Sequence, residues 1–383
     1  MSERMGVEGT LAELVAVDST SSRSNLEIIK LLAARAEGLG LRARIYPYAD
    51  ERGVEKFNLV AAHPGTFERG EVGLALVGHT DTVPFDPGWG EALALTERDG
   101  RLYGRGACDT KGFIAAALAA LEEADAARLA RPPALVLTAD EEVGCLGAKR
   151  LAEARPFTAR HAVVGEPTSL RPMRAGKGYC LAEVTVRGRE GHSAYPALGA
   201  SAITRAARLV TRVEAVAEEL KRDAHEAFDP PHTTLNVGLI RGGTAKNIIA
   251  GECRFTLEWR PVPGQRPELA AELVRREAEA LRAGDEDFDC EVRVTRLDGG
   301  AETRADAPLV RTLEELTGRA AGTVSFGTEA PQMAELGADA VVFGPGDIRV
   351  AHRTGEFVPA AELRECARIL RRTIERFCGA GHQ

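Results

Sequence analysis

The stretch "VGLALVGHTDTVP" at residues 72–84 joins an apolar run to a polar group that directly follows it. The run through Val77 has the length and composition of a buried strand. His79 and Asp81 then lie two residues apart, a spacing that puts both side chains on one face of an extended segment. Proteins place an imidazole beside a carboxylate to orient a metal-binding or catalytic histidine, but an ordinary surface histidine can have the same neighbour. The rest of the chain has to distinguish these two interpretations.

Similar runs recur along the chain and predict its fold class. "LALVGH" (74–79), "ALVLTADEE" (134–142) and "HAVVGE" (161–166) are short and apolar, and each ends in acidic or imidazole groups, while "GFIAAALAALEEA" (112–124) is typical of a helix. Continuously apolar strands that alternate with helices predict an α/β fold with a mostly parallel sheet. Ligand sites in such sheets form beyond the carboxyl ends of the strands, which is where these polar residues lie.

The pattern changes near residue 176 and changes back near residue 298. Within 176–297, half-exposed strands and amphipathic helices follow one another in the order β-α-β-β-α-β. This order resembles a ferredoxin-like α+β domain. We therefore expect a catalytic domain built from residues 1–175 and 298–383, with residues 176–297 inserted as a lid.

Composition excludes several classes of protein. The chain has 383 residues and a formal net charge of −8, which argues against nucleic acid and anionic membranes as partners. It contains no apolar signal-peptide core and no run of about 18 apolar residues that would predict a membrane span. The seven cysteines include no CxxC pair, which predicts reduced thiols in the cytoplasm and argues against a thiolate zinc site.

Two further stretches supply carboxylates at predicted strand ends. "GRGACDTKG" (104–112) is neither a GxGxxG nor a Walker motif, and it is either a plain turn before a helix or a rigid support for Asp109. "TADEEVG" (138–144) has Asp140, Glu141 and Glu142 in succession. Such a run is often a solvated loop, but adjacent carboxylates at a strand end are costly to ionise together without cations. One of them could bind a metal while its neighbour serves as a base.

The candidate ligands form a set with no thiolates, namely His79, Asp109, Glu142, Glu166 and His352. If Asp109 is shared, each of two metals receives one imidazole, one terminal carboxylate and the bridge. This is the ligand set of a dinuclear hydrolytic zinc site, although cobalt or manganese also suits it. Asp81 is then expected to orient His79 by accepting a hydrogen bond from the ring nitrogen that does not bind the metal.

Six motifs together resemble those of the co-catalytic zinc amidohydrolase family, which includes aminoacylase, carboxypeptidase G and succinyl-diaminopimelate desuccinylase. They are "GHTDTVP", "GRGACDTKGF", "TADEEVG", "GEPT", "GREGHSA" and "FGPGDIRVAH", and they span essentially the whole chain in order. The resemblance implies a zinc-peptidase-like catalytic domain. It also implies that His79, Asp109 and Glu166 hold one metal and that Asp109, Glu142 and His352 hold the other, with Glu141 as the general base and acid.

The resemblance also assigns roles in the inserted segment. His192 resembles the family histidine that reaches the active site of the partner in a homodimer formed through the lid, where it stabilises an oxyanion. Asn247 and Arg260 resemble substrate-contacting residues, and the guanidinium of Arg260 suits a planar carboxylate. A surface histidine and a structural salt bridge are the plain alternatives for His192 and Arg260.

The expected substrate is a small N-acyl amino acid. "FGTEAP" (326–331), with Gly327, Thr328 and Glu329, resembles the segment in family members that act on N-acetylornithine. The carboxylate of Glu329 would attract the δ-ammonium of that substrate and repel a succinyl carboxylate, unless it is only a structural partner. Succinyl-diaminopimelate, acetylcitrulline, other acyl amino acids and dipeptides remain alternative substrates, and a non-catalytic binding or scaffold relative is the alternative of a different class.

Overall fold

A computed structural model describes residues 6–125, 129 and 132–379. The chain divides into two units. The first unit contains residues up to Arg174, Thr303–Gly322 and the segment from Thr328 onward, and the second contains Ala175–Glu302 and Thr323–Gly327.

The helices of the first unit are α1 (Val7–Val15), α2 (Leu26–Gly38), α3 (Pro64–Arg69), α4 (Lys111–Glu123), α5 (Leu146–Ala154), α8 (Pro308–Thr317), α9 (Ala330–Glu335) and α10 (Ala360–Cys378). Its strands are β1 (Arg42–Ala49), β2 (Glu55–Ala62), β3 (Glu71–His79), β4 (Thr96–Arg98), β5 (Arg101–Tyr103), β6 (Ala134–Thr138), β7 (Thr158–Val164), β17 (Asp339–Val342) and β18 (Phe357–Pro359). Strand β8 (Met173–Gly176) runs from this unit into the second, and β16 (Gly322–Val324) links the two along the chain.

The central sheet of the first unit has the strand order β1-β2-β6-β3-β7-β17. The pairs β6–β3, β3–β7 and β7–β17 are parallel, so these four strands direct their carboxyl ends to the same edge. Their sequences are continuously apolar because both faces are covered. Leu76 of β3 packs in the same apolar layer as Phe113 of α4, whereas the next residue, Val77, packs in the opposite layer with Met333 of α9.

The second unit has the helices α6 (Ala202–Leu220) and α7 (Leu269–Ala283) and the strands β9 (Tyr179–Arg187), β10 (Gly191–His192), β11 (Thr234–Gly242), β12 (Ile248–Ile249), β13 (Glu252–Arg260), β14 (Asp289–Asp298) and β15 (Ala301–Glu302). Its main sheet is antiparallel and has the order β11-β13-β9-β14. Buried residues alternate along β9 and β13 because only one face of the sheet packs with α6 and α7. The element order β9-α6-β11-β13-α7-β14 is the predicted ferredoxin-like one, and the predicted fold class is confirmed.

None of the helices in the described ranges is both long and apolar enough to span a bilayer. The seven cysteines are all free thiols.

Candidate metal centre

Three candidate ligands of the first unit lie at the ends of parallel strands, as the sequence predicts, whereas Asp109 follows the antiparallel strand β5. His79 is the last residue of β3, Glu142 follows β6 and Glu166 follows β7. Gly165 lets the backbone before Glu166 approach α4, because a Cβ atom there would lie 2.1 Å from the Phe113 ring. His352 lies beyond β17 in a left-handed backbone conformation, with φ of 59°.

Asp109 contacts both candidate histidines. Its Oδ1 lies 3.1 Å from Nε2 of His79, and its Oδ2 lies 3.0 Å from Nε2 of His352. The Nε2 atom of His352 is also 3.1 Å from Oε2 of Glu142. Ligands with bonds of about 2.0–2.2 Å to a tetrahedral zinc ion lie about 3.3–3.6 Å apart, so these atoms, now at hydrogen-bond distance, would have to separate by a few tenths of an ångström to hold one. Asp109 thus directs each carboxylate oxygen to a different imidazole, as a bridging carboxylate does.

The chemistry of these residues fits divalent cations. His79, Asp109 and Glu142 have potential ligand atoms within 4.8 Å of one another. Oε1 of Glu142 is buried and has no hydrogen-bond partner among the described residues. Imidazole nitrogens and carboxylate oxygens suit zinc, cobalt and manganese. Glu166 lies outside that group of three but is also buried. Burial is the main cause that raises the pKa of Glu166 well above its usual value, and the negative charges of Asp109 and Glu141 raise it further.

The electrostatics of the centre show an excess of negative charge. Burial opposes ionisation of Asp109, but hydrogen bonds from His352 and His79 lower its pKa below the usual value. The hydrogen bonds of His352 with Asp109 and Glu142 raise its pKa to about 10. Glu141 is partly exposed as a residue, yet burial of its carboxyl group raises its pKa to about 8. Bound cations would favour the ionised carboxylates and neutral imidazoles.

Asp81 acts mainly on the loop that follows β6. Nδ1 of His79 lies 2.9 Å from the main-chain oxygen of Asp81 and 3.7 Å from its carboxylate. The carbonyl can only accept, so Nδ1 carries a proton, and Nε2 is the nitrogen that would bind a metal in place of its hydrogen bond with Asp109. The Asp81 carboxylate instead accepts hydrogen bonds from Ser21 Oγ and from the main-chain N–H groups of Glu141 and Glu142. The structure therefore assigns Asp81 contacts that the sequence analysis did not predict.

A buried ion pair lies directly before Glu141. Nζ of Lys56 is 2.7 Å from Oδ1 of Asp140, and both side chains are 1% exposed. Asp140 has a left-handed backbone with φ of 57° and also accepts a hydrogen bond from the Tyr48 hydroxyl at 2.9 Å. These contacts hold the turn at Asp140, which directly precedes Glu141 and Glu142. Sequence analysis missed Lys56 because no motif distinguishes a lysine within β2.

Glu329 and Thr328 lie at the start of α9 in the first unit. Glu329 is buried, and its Oε1 accepts a hydrogen bond of 2.5 Å from the hydroxyl of Thr138. Burial raises the pKa of Glu329 to about 7. Thr328 is also buried, and its hydroxyl oxygen accepts a hydrogen bond from the main-chain N–H of Ala330.

The second unit contains the other four predicted residues. His192 and Asn247 lie close together because β10 pairs with β12 and the N–H of Ser193 donates to the main-chain oxygen of Asn247. Both residues are exposed. Arg260 forms an ion pair of 2.7 Å with Glu258, and its guanidinium stacks 4.4 Å from the centre of the Tyr179 ring. Gly327 also lies in this unit, where a Cβ atom would contact Tyr179.

Comparisons with known proteins agree with this architecture. The family model described as "Peptidase family M20/M25/M40" matches residues 75–376. A protein of Myxococcus xanthus named acetylornithine deacetylase is 57% identical over 374 residues, which are 97% of this chain and 98% of that protein. Another with that name, from Proteus mirabilis, is 37% identical and covers 95% of this chain and 93% of its own length.

Solved structures share the fold at lower identity. A tripeptidase from Staphylococcus aureus has a TM-score of 0.78 and 24% identity, and the match covers 97% of this chain and 98% of that one. An M20 family metallo-carboxypeptidase from Sulfolobus solfataricus has a TM-score of 0.75 and 19% identity, with coverage of 98% and 99%. The family model covers most of the chain, and the Myxococcus xanthus relative aligns with nearly all of it. On these matches, the chain belongs to the peptidase family M20/M25/M40.

Proposed function

We propose that this metal-dependent amidohydrolase is an acetylornithine deacetylase, which converts N²-acetyl-L-ornithine and water to L-ornithine and acetate. The observation that carries the proposal is the contact of each Asp109 oxygen with a different imidazole, near enough to Glu141 for the negative charge of Asp109 to help raise the pKa of Glu141. The relatives named acetylornithine deacetylase support the choice of substrate.

His79, Asp109 and Glu166 would hold one divalent cation, and Asp109, Glu142 and His352 would hold the other. Zinc suits this set best, with cobalt and manganese as alternatives. When bound, two such cations acidify a water molecule and polarise the acyl carbonyl. The first unit is then the catalytic domain and the second is the lid.

Glu141 is the general base and then the general acid. Its position next to a proposed ligand supports this role, in which it takes a proton from the attacking water and passes it to the departing amine. Asp81 orients the reaction centre because its carboxylate accepts the N–H groups of both Glu141 and Glu142. His192 donates to the oxyanion that develops on the carbonyl oxygen of the acyl group.

We expect the enzyme to recognise N²-acetylornithine by its two charged groups, the α-carboxylate and the δ-ammonium. Arg260 binds the α-carboxylate, and Asn247, Gly327 and Thr328 contribute further contacts. Glu329 attracts the δ-ammonium group when its carboxylate is ionised, and the low dielectric of its buried position strengthens that attraction. The hydrogen bond from Thr138 is also what a purely structural carboxylate would form, so variants must separate the two roles.

The second unit also supports a homodimer. Strand β11 is at one end of its sheet, and Leu239 and Ile240 on it are 60% and 52% exposed. An apolar edge strand favours pairing with a second copy. In such a dimer His192 serves the partner's site. We expect the enzyme to work in the cytoplasm on small molecules, without nucleic acid or membrane partners.

Hydrolysis of a panel of substrates by the zinc-loaded and cobalt-loaded protein tests the proposal. N²-acetylornithine should give the highest kcat/KM, followed by acetylcitrulline, acetylmethionine, succinyl-diaminopimelate and a dipeptide. A higher value for succinyl-diaminopimelate or for the dipeptide would reassign the substrate within the family. No hydrolysis of any compound by protein that contains two metal equivalents would favour a binding or scaffold role.

A further inference from the structure

Glu356 has an unusual position for a carboxylate, because it is completely buried and accepts three hydrogen bonds. Its Oε1 accepts from the main-chain N–H of Cys108 at 3.0 Å and from that of Asp109 at 3.1 Å. Its Oε2 lies 2.5 Å from Nη1 of Arg105, which is also buried. None of these groups belongs to the predicted ligand set except Asp109.

The contacts of Glu356 join two distant parts of the chain at the metal centre. Glu356 follows His352 by four residues, and its contacts to Cys108 and Asp109 cross 248 and 247 residues of sequence. Its own main-chain oxygen accepts from Gly104 N–H, next to the pairing of β18 with β5. These hydrogen bonds therefore join the segment that contains His352 to the segment that contains Asp109, the proposed shared ligand.

We propose that Glu356 is a positioning residue of the metal centre, which holds the main chain at Asp109 so that its two carboxylate oxygens face different metal sites. This inference rests on the proposed metal ligation. A single oxygen that accepts from two successive N–H groups fixes the orientation of the peptide between Cys108 and Asp109. The Cα atom that carries the Asp109 side chain directly follows that peptide. A rotation of the peptide would therefore move both carboxylate oxygens of Asp109 together.

The ion pair with Arg105 has a different role. Replacing a buried ion pair with uncharged residues of similar size is often tolerated, whereas removal of one partner leaves an unpaired charge. The charge of Glu356 can therefore be removed without great cost if Arg105 is replaced at the same time. What cannot be replaced in this way is the oxygen that accepts the two N–H groups.

Two double variants separate the acceptor from the charge. Arg105→Met with Glu356→Gln removes both charges and keeps an oxygen that can accept from Cys108 and Asp109. Arg105→Met with Glu356→Met removes both charges and the acceptor as well. The two variants differ only at the group that the proposal concerns.

Cobalt titration of the metal-free proteins, followed by the visible absorption spectrum, measures site geometry and affinity without reference to activity. We expect the Gln variant to bind two equivalents with affinities within about threefold of wild type. The Met variant should lose at least tenfold in affinity for one cobalt ion and show an altered spectrum. Equal affinities and spectra for the two folded variants would overturn the proposal, because a purely structural role would change only their melting temperatures.

If the Met variant does not fold, Glu356→Asp tests whether Glu356 positions Asp109. It keeps the negative charge for Arg105 but is one methylene too short to reach both N–H groups in the same pose. Weakened binding of one cobalt ion supports the proposal, and wild-type titration contradicts it. If wild type itself fails to bind two equivalents, the proposed ligation is wrong, an outcome distinct from equal behaviour of the variants.

Discussion

The candidate residues of the two units differ in their burial and in the number of hydrogen bonds that they form within their own unit. Around the candidate metal centre, Asp109, Asp81 and Asp140 are buried, and the carboxylate of each accepts at least two hydrogen bonds. In the second unit, His192 and Asn247 are exposed and lie on a short two-stranded ribbon. A buried, multiply bonded site is preorganised by its own chain, whereas exposed residues need a substrate or a second subunit to complete their contacts.

The largest effect should come from the preorganised centre. Glu141→Gln should lower kcat by about a thousandfold, because the base is lost while the ligands remain. The measurement is steady-state kinetics with acetylornithine, together with bound metal per chain. Glu142→Gln is the matched control and should lose metal as well as activity. If Glu141→Gln retains less than half of the metal, the assignment of the two adjacent carboxylates is wrong.

The exposed histidine should depend on a second subunit. His192→Ala should lower kcat by about a hundredfold with unchanged metal content, because a donor to the oxyanion is lost. Mixing this variant with Glu141→Gln and allowing subunit exchange should restore part of the activity, since one composite site in each mixed dimer is intact. Verified exchange without recovery would assign His192 to its own chain.

Substrate selection should separate Arg260 from Glu329. Arg260→Ala should lower kcat/KM about tenfold or more for every α-carboxylate substrate, because that group is common to them. Glu329→Gln should weaken acetylornithine selectively and leave neutral acetylmethionine nearly unchanged. The same substrate panel measures both variants. An equal loss on all substrates for Glu329→Gln would identify it as a structural or catalytic residue.

The smallest effect concerns the stability of the metal-free protein. Burial raises the pKa of Glu141 from 4.5 to about 8 and that of Glu329 to about 7, so the folded protein retains protons that the unfolded chain releases near pH 4.5. Stability should therefore fall as the pH rises from about 5 to 8. We expect Tm to decrease by roughly 5 °C over this interval in calorimetry of chelator-treated protein.

Two controls accompany that measurement. Zinc favours the ionised carboxylates and should reduce the pH dependence of Tm. Glu141→Gln combined with Glu329→Gln should reduce it in the metal-free protein, because two of the carboxyl groups with raised pKa values are gone. A metal-free wild-type Tm that is constant or rises over this interval would contradict the stated electrostatics.

Sequence patterns predicted the parts of the molecule that depend on local periodicity. The apolar runs that end at His79, before Glu141 and before Glu166 became parallel strands because both faces of that sheet are covered. The element order of the second unit followed from alternating strands and amphipathic helices. The proximity of His79, Asp109 and Glu142 could be predicted because metal sites in such sheets draw on imidazoles and carboxylates near the strand ends.

Supporting contacts were not predictable in the same way. Lys56 reaches Asp140, and Glu356 reaches Asp109, across 84 and 247 residues of sequence. A lysine within a strand and a glutamate before one have no local signature, since their burial depends on which segments the fold brings together. The carbonyl contact of Asp81 with His79 was missed for a different reason. The two-residue spacing restricts the side-chain directions but not which oxygen the imidazole meets.

Metal content of the purified protein tests the central claim most directly, namely that the buried cluster at the strand ends is a dinuclear centre bridged by Asp109. After loading with zinc and removal of the excess, mass spectrometry of the metal should find two equivalents per wild-type chain. Glu141→Gln should keep both, and folded Asp109→Ala should retain at most one, because the shared ligand is gone. Two equivalents in Asp109→Ala, or only one in wild type, would contradict the bridged centre.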